Sequence, residues 1–418
     1  MLEKLFDRML HRLTQQGALR VTFPDGRTQD YGDGSDDPVH LTLHNWRTVR
    51  HLGLNPELAL GESYMNGTLT IADDDLHGLL RAAIVNMAGG NTTAWQNGLA
   101  WMRSALRWVA QNNPVGKAQK NVAHHYDLSG QLYDLFLDRD KQYSCAYFKT
   151  PKDSLEKAQE QKKAHIAGKL LLEPGMRVLD IGCGWGGMGL TLARDHGAKV
   201  LGVTLSAEQH KIATARAAAE GLQDRVEFRL TDYRDVTDRF DRIVSVGMFE
   251  HVGVPHYREY FRHVREKLTD DGVALIHTIG RTNPPGYTNP WITKYIFPGG
   301  YCPSMSETMQ AVEKEDLYPT DVEVWRLHYA ETLRHWYQRF MANRDRVAAL
   351  YDERFCRMWK FYLVASEMTF RLHHQCVFQF QLARRQDAVP LTRDYLYARR
   401  RGKTARAPAA ADTAHAAE

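Results

Sequence analysis

Residues 178–187 read Val178-Leu-Asp-Ile-Gly-Cys-Gly-Trp-Gly-Gly187. A short apolar run ends in an acid, and a burst of glycines then opens a helix. Glycines let the backbone approach a ligand closely, and the helix offers free N–H groups. The stretch therefore suits a nucleoside-bearing ligand at the carboxyl end of a parallel strand. Working outward, apolar runs at 177–181, 199–204, 226–230, 242–246 and 273–279 alternate with helix-length spans. That alternation predicts an α/β, Rossmann-like, doubly wound sheet with the glycine loop after its first strand.

A dinucleotide site would need G-x-G-x-x-G and an acid closing the second strand. Here the second strand ends Gly202-Val-Thr-Leu-Ser206, and the acid, Asp180, instead precedes the glycines. Asp-x-Gly-x-Gly resembles the loop of S-adenosylmethionine methyltransferases. Val178, Leu179, Asp180, Ile181, Gly182, Cys183, Gly184, Trp185 and Gly186 are thus the candidate cofactor residues of this stretch. Ser206-Ala-Glu-Gln209 reads as a helix capping box. It also leaves Thr204, Leu205, Ser206 and Gln209 as candidates for holding ribose hydroxyls. Asp232 and Tyr233, after the third strand, suit an adenine amino group and ring, or form a plain turn.

The chain has 418 residues, enough for two or three domains with real cores. Its 54 basic and 50 acidic residues leave a net charge of +4, too mild to imply nucleic acid. Five cysteines without a C-x-x-C pair indicate neither a zinc site nor a disulfide framework. The N-terminus lacks the apolar core of a signal peptide, and no run of about 18 apolar residues is present. A soluble, cytoplasmic chain is the expectation. Arg384, Arg385, Arg399, Arg400, Arg401, Lys403 and Arg406 make a basic C-terminus, either a solvated tail or a contact for anionic lipid.

Leu2, Leu5, Phe6, Met9, Leu10 and Leu13 recur at helical spacing. This helix either packs on its own domain or lies on a bilayer. Strand signals at 19–28 and 39–44 and a helical span from 45 complete a small α+β domain over 1–90. Residues 91–120 read as a linker with one helix, carrying Trp95, Trp101, Met102, Leu106 and Trp108, that docks on something. Thr150-Pro-Lys-Asp153 carries the cap, proline and acid of a helix start. The catalytic domain spans 121–395; 331–383 reads as long helices and 396–418 as a disordered tail.

Further motifs match one family in order: Leu60 to Gly67, Tyr143-Ser-Cys-Ala-Tyr147, Asp241 to Val252, His277-Thr-Ile-Gly280 and Tyr295-Ile-Phe-Pro-Gly299. With them the chain resembles cyclopropane-fatty-acyl-phospholipid synthases over about residues 50–395. The resemblance implies a class I methyltransferase fold and adds Tyr143 and Ser144 to the cofactor residues. It implies methylene transfer from S-adenosylmethionine to the cis double bond of a phospholipid acyl chain. It also implies a bound bicarbonate as base, held by the backbone N–H groups of Cys145 and Ile279 and by the side chains of Glu250, His277 and Tyr329. No metal is implied.

Cys145 alone would read as a buried apolar residue, Glu250 as a helix start and Tyr329 as a core aromatic. Phe249, Tyr147 and Tyr329 are the aromatic candidates beside the reacting centre, and His124-His-Tyr-Asp127 a segment over the cofactor. The substrate implies a phospholipid bilayer with unsaturated acyl chains as partner and a peripheral place at the inner membrane surface. The N-terminal domain is a candidate for docking or homodimer contacts. A 10-methyl-branched lipid from the same carbocation, or an inert lipid-binding scaffold, are the competing outcomes.

Overall fold

A computed structural model describes residues 2–35, 37–107, 111 and 130–397. Alternation in the first domain produces a four-stranded sheet of β1 (Ala18–Thr22), β2 (Thr28–Gly32), β3 (Val39–Leu43) and β4 (Leu69–Ile71), ordered β2-β1-β3-β4. α1 (Leu2–Leu13) buries Phe6, Met9 and Leu10 against it. Its apolar stripe therefore packs on its own domain. α2 (Trp46–Leu54), α3 (Pro56–Met65) and α4 (Leu76–Ala88) complete this unit, and α5 (Ala94–Ala105) follows. Trp108 and His124-His-Tyr-Asp127 lie outside the described residues, as does the chain beyond 397.

After α6 (Gly130–Asp134) and α7 (Leu155–Lys169), the glycine loop links β5 (Arg177–Ile181) to α8 (Gly187–His196). The five expected strands, β5, β6 (Lys199–Thr204), β7 (Val226–Leu230), β8 (Phe240–Val246) and β9 (Leu268–Arg281), pair in parallel. α9 (Ala207–Ala219) and α10 (Tyr257–Lys267) make crossovers. α11 (Pro290–Tyr295) and α12 (Met305–Lys314) lead into β10 (Tyr318–Trp325). Together with β11 (Gln375–Ala383) this gives a seven-stranded sheet ordered β10-β11-β9-β8-β5-β6-β7, in which β11 runs antiparallel to both neighbours.

Two expectations are corrected. Residues 331–383 are not helical throughout: α13 (His328–Ala342), α14 (Arg344–Leu350) and α15 (Glu353–Leu372) are followed by β11. In β11 Cys376, Phe378, Phe380 and Leu382 alternate with Gln375, Val377, Gln379 and Gln381, a period of two that the apolar helix before it disguises. The helix expected from Thr150 starts at Leu155, with Ser154 accepting from the Lys157 N–H at 3.2 Å. Asp153 instead accepts from the amides of Lys149 and Thr150 at 2.9 and 3.0 Å, closing a turn of its own.

The Leu60 to Gly67 motif joins the two units. Glu62 accepts from Lys294 at 2.6 Å and from the Tyr295 hydroxyl at 2.8 Å, and Lys360 reaches Asp74 at 2.5 Å. Trp291, 1% exposed, lies flat enough on α3 that a Cβ at Gly61 would fall 2.4 Å from its ring nitrogen. Glycine is required here by close approach. Gly61→Ala should therefore cost about 1–3 kcal/mol of unfolding free energy, the scale of core overpacking, measured by urea denaturation. An unchanged midpoint would contradict this packing.

Candidate active site

The loop after β5 is shaped by left-handed glycines at 182, 184 and 186. It frames a cavity of about 170 Å³ at the carboxyl ends of β5, β6 and β8. Tyr143, Ser144, Asp180, Ile181, Gly182, Cys183, Gly184, Trp185, Thr204, Leu205, Gln209, Asp232 and Tyr233 line it. Four candidates do not. Val178 and Leu179 are sealed inside the sheet, Gly186 caps α8, and Ser206 caps α9 by accepting from Gln209 N–H at 3.3 Å.

Burial raises the Asp180 carboxyl to about pH 7, although the Gly189 N–H bonds it. Its Oδ2 is buried without a hydrogen-bond partner. Thr204 donates to Gln209 at 3.0 Å, so the pair that replaces the missing acid is already organised as a polar patch. Asp232 caps a short turn and bonds Arg234 through both oxygens at 2.8 and 2.7 Å. Burial opposes ionisation of Asp232, but those bonds outweigh it and hold the carboxyl below its ordinary value. Ser206 thus supplies one half of the expected capping box, since the Gln209 side chain turns to Thr204, and Asp232 forms the expected turn; Thr204, Gln209, Asp232 and Tyr233 all line the cavity.

A second cavity, about 780 Å³, adjoins the first. Cys145, Glu250, His277, Ile279 and Tyr329, far apart in sequence, all line it. Tyr143, Ser144, Gly247 and His251 line both cavities and so form the wall between them. From this wall the cavity runs into the N-terminal domain, where Phe6, Met9, Leu41, Leu43, Leu79 and Leu80 enclose it, while Glu57, Arg281, Asn283, Asn289, His373 and His374 add polar lining elsewhere. Phe249 and Tyr147 are not on either wall. Phe249 packs on Tyr257, Tyr260 and Phe261, while Tyr147 stacks on His165 and His328. The aromatics that do face the large cavity include Tyr143, Tyr329, Phe361, Tyr362 and Phe370.

Glu250 Oε1 accepts from the Ile279 N–H at 2.6 Å, while its Oε2 is buried without a partner. Burial raises this carboxyl to about 7, only partly opposed by the Ile279 bond. The Ile279 amide therefore serves the carboxylate first, a departure from its expected role. His277 sits directly opposite Gln379 in the β9–β11 register and shares a 3.1 Å bond through Nδ1. With the Gln379 amide donating, the ring carries its proton on Nε2. Burial pushes His277 well below its ordinary pKa, so it is neutral. Burial also raises the Cys145 thiol far above the usual range, which excludes it as a nucleophile.

The wall has a support that the sequence reading missed. Lys162 of α7 is fully buried and donates to Gln142 Oε1 at 2.7 Å and Ser144 Oγ at 2.8 Å. Gln159 donates to the carbonyls of Gln142 and Ser144 at 3.2 and 3.0 Å. Burial lowers Lys162 to about 8, against the pull of Asp138. Gln159 and Lys162 of this charged helix point inward to grip a loop. Gln379 was hidden because its strand was taken for helix.

Comparison with known proteins follows the same lines. The mycolic acid cyclopropane synthetase family matches residues 115–380, and a domain of unknown function matches residues 5–89. The chain is 41% identical to the Escherichia coli cyclopropane-fatty-acyl-phospholipid synthase over 350 residues, 80% of this chain and 85% of that one. It is 36% identical to a Mycobacterium tuberculosis tuberculostearic acid methyltransferase over 397 residues, 90% of each. The solved mycolic acid cyclopropane synthase CmaA1, complexed with SAH and CTAB, superposes with a TM-score of 0.60 at 34% identity, covering 63% of this chain and 97% of that one. On a class I methyltransferase fold with this site, the chain belongs to the mycolic acid cyclopropane synthetase family of S-adenosylmethionine-dependent enzymes.

Proposed function

We propose that the protein transfers a methylene group from S-adenosylmethionine to the cis double bond of an acyl chain in a membrane phospholipid, forming a cyclopropane ring. The observation that carries this reading is the wall shared by the two cavities. One side is glycine-framed and carries Asp180, Thr204, Gln209 and Asp232, and the other is a larger, mostly apolar space whose lining includes Glu250 and His277. An alkene is a weak nucleophile, so it needs the sulfonium-bound methyl as electrophile and an orienting, dry site. Tyr143 and Tyr329 set aromatic faces along the large cavity, where a developing cation is stabilised. The apolar lining excludes water that would capture that cation.

Bicarbonate, the base that the resemblance implies, fits the residues present. Glu250 Oε2 is a buried oxygen without a partner, and the Cys145 N–H has no acceptor among the described residues. Cys145, Glu250, His277 and Tyr329 would hold it, with the Ile279 amide orienting Glu250; bound there, it supplies the base for the proton lost from the transferred methyl. Near neutral pH the Glu250 carboxyl takes up or releases a proton, and His277 offers Nε2–H as a fixed donor. Their burial keeps that proton inside the cluster.

One relative favours a second reading. The tuberculostearic acid methyltransferase covers 90% of this chain, so a 10-methyl branch from the same cation is the alternative product. Incubation with methyl-labelled S-adenosylmethionine and unsaturated phospholipid tests the reaction itself, and absence of label in lipid would leave only an inert lipid-binding scaffold. Glu250→Gln and His277→Ala should each reduce turnover roughly 100-fold or more, the scale of a lost acid–base group, with cofactor affinity by calorimetry unchanged. Full turnover in both would refute the assignment of the cluster.

Glu250 also yields a stability prediction. Its folded pKa, about 7, lies above the ordinary 4.5, so the folded state favours the protonated form. That contribution is complete below pH 4.5 and is lost as pH rises through about 7. The unfolding free energy of Glu250→Gln should accordingly gain on the wild type across this window and level off above it. A constant difference across the window would count against the buried carboxyl.

A further inference from the structure

α5 is amphipathic in the wrong sense for a helix packed on a protein. From Ala94 to Leu106 every apolar residue except Ala100 falls on one half of the circumference. That half faces outward: Trp101 is 74% exposed, Leu106 57%, Trp95 46% and Met102 45%. The opposite, polar half holds the helix to the molecule. Gln96 closes the cap with Thr93, and Arg103 bonds Asn55 at 2.8 Å and pairs with Glu57. Trp95 is tethered only at its edge, its ring N–H donating to the Leu54 carbonyl at 2.9 Å. Leu54, 40% exposed and bonded to Trp95 through its carbonyl, extends the patch.

We propose that this outward face is where the protein rests on a phospholipid bilayer, bringing the mouth of the large cavity against the acyl chains. The inference rests on the lipid substrate proposed above and supplies the surface that serves it. Two observations select a bilayer as the occupant. First, α5 walls the cavity: its inward-facing Gln96 and Ser104 line the large space, and so does Met87, which is 39% exposed. A bilayer resting on the outer face therefore lies on the helix whose inner face lines the cavity. Second, the patch is rimmed by cations. Arg12 donates to the Thr92 carbonyl at 2.8 Å where α5 begins, and exposed Arg47 and Arg50 share a helix face with Leu54. Tryptophans with a basic rim suit the interface of an anionic membrane.

The test uses the full-length chain and unsaturated vesicles of mixed phosphatidylglycerol and phosphatidylcholine. Trp101→Glu combined with Met102→Glu alters only solvent-facing positions, so the melting temperature should hold. Vesicle flotation of this variant should fall roughly tenfold or more, and labelling of vesicle lipid with it, while labelling of the same lipid in detergent micelles stays within about twofold. Arg47→Glu with Arg50→Glu should remove the preference for anionic over neutral vesicles. Unchanged flotation of the Trp101 and Met102 variant overturns the proposal, as does loss of a dimer in sedimentation with vesicle binding intact, which would assign the face to a second copy. Wild type that floats but labels no lipid in either form refutes the catalytic reading, while the variant's lost flotation would still support the docking face.

Discussion

A sulfonium donor soluble in water and a double bond buried in lipid must meet where water cannot follow. The architecture answers that constraint with a shared wall: Tyr143, Ser144, Gly247 and His251 face both cavities. Among the described residues, these four are the ones that line both spaces. The wall is irregular backbone, and irregular backbone keeps its shape only when its polar groups are satisfied. Lys162 and Gln159 satisfy them from below, and the Ala146 N–H donates to Thr332 at 3.0 Å from the other side.

The same logic explains the antiparallel strand. Five parallel strands are enough to hold a nucleoside cofactor, and they end in loops that carry the donor site. β11 adds a neighbour to β9 and so fixes the ring of His277 through Gln379. The N-terminal domain then extends the cavity beyond the length that the sheet and its helices could enclose. Its contact with the rest includes ion pairs around Glu62 and Asp74, the Tyr287 hydroxyl donating to Glu57, Tyr64 packed on Phe361, and the close approach at Gly61. No helix among the described residues is long and apolar enough to cross a membrane.

Much of this was legible in the sequence. The glycine loop at 182–187 and the spacing of five apolar runs carry the parallel sheet, because β5, β6, β8 and β9 are buried on both faces and read as apolar runs, while the edge strand β7 alternates buried and exposed residues. Cys145, Glu250, His277, Ile279 and Tyr329 were found by motif, and the fold brings them to one cavity. What failed was periodicity in buried polar segments. Gln379 and Gln381 are fully buried yet polar, and Lys162 is a fully buried cation on a charged helix. Hydrophobic patterning cannot flag a residue whose burial is made tolerable by tertiary hydrogen bonds. Phe249 and Tyr147 failed conversely: they neighbour the motifs in sequence but point into separate aromatic packing.

The central claim is that the transferred methyl loses a proton inside this closed site. The direct measurement is mass spectrometry of lipid product formed with a trideuteriomethyl donor and unsaturated phospholipid. Ring closure with loss to a base predicts acyl chains carrying two deuterium atoms in a cyclopropane. Three deuterium atoms retained in a methyl branch would contradict it.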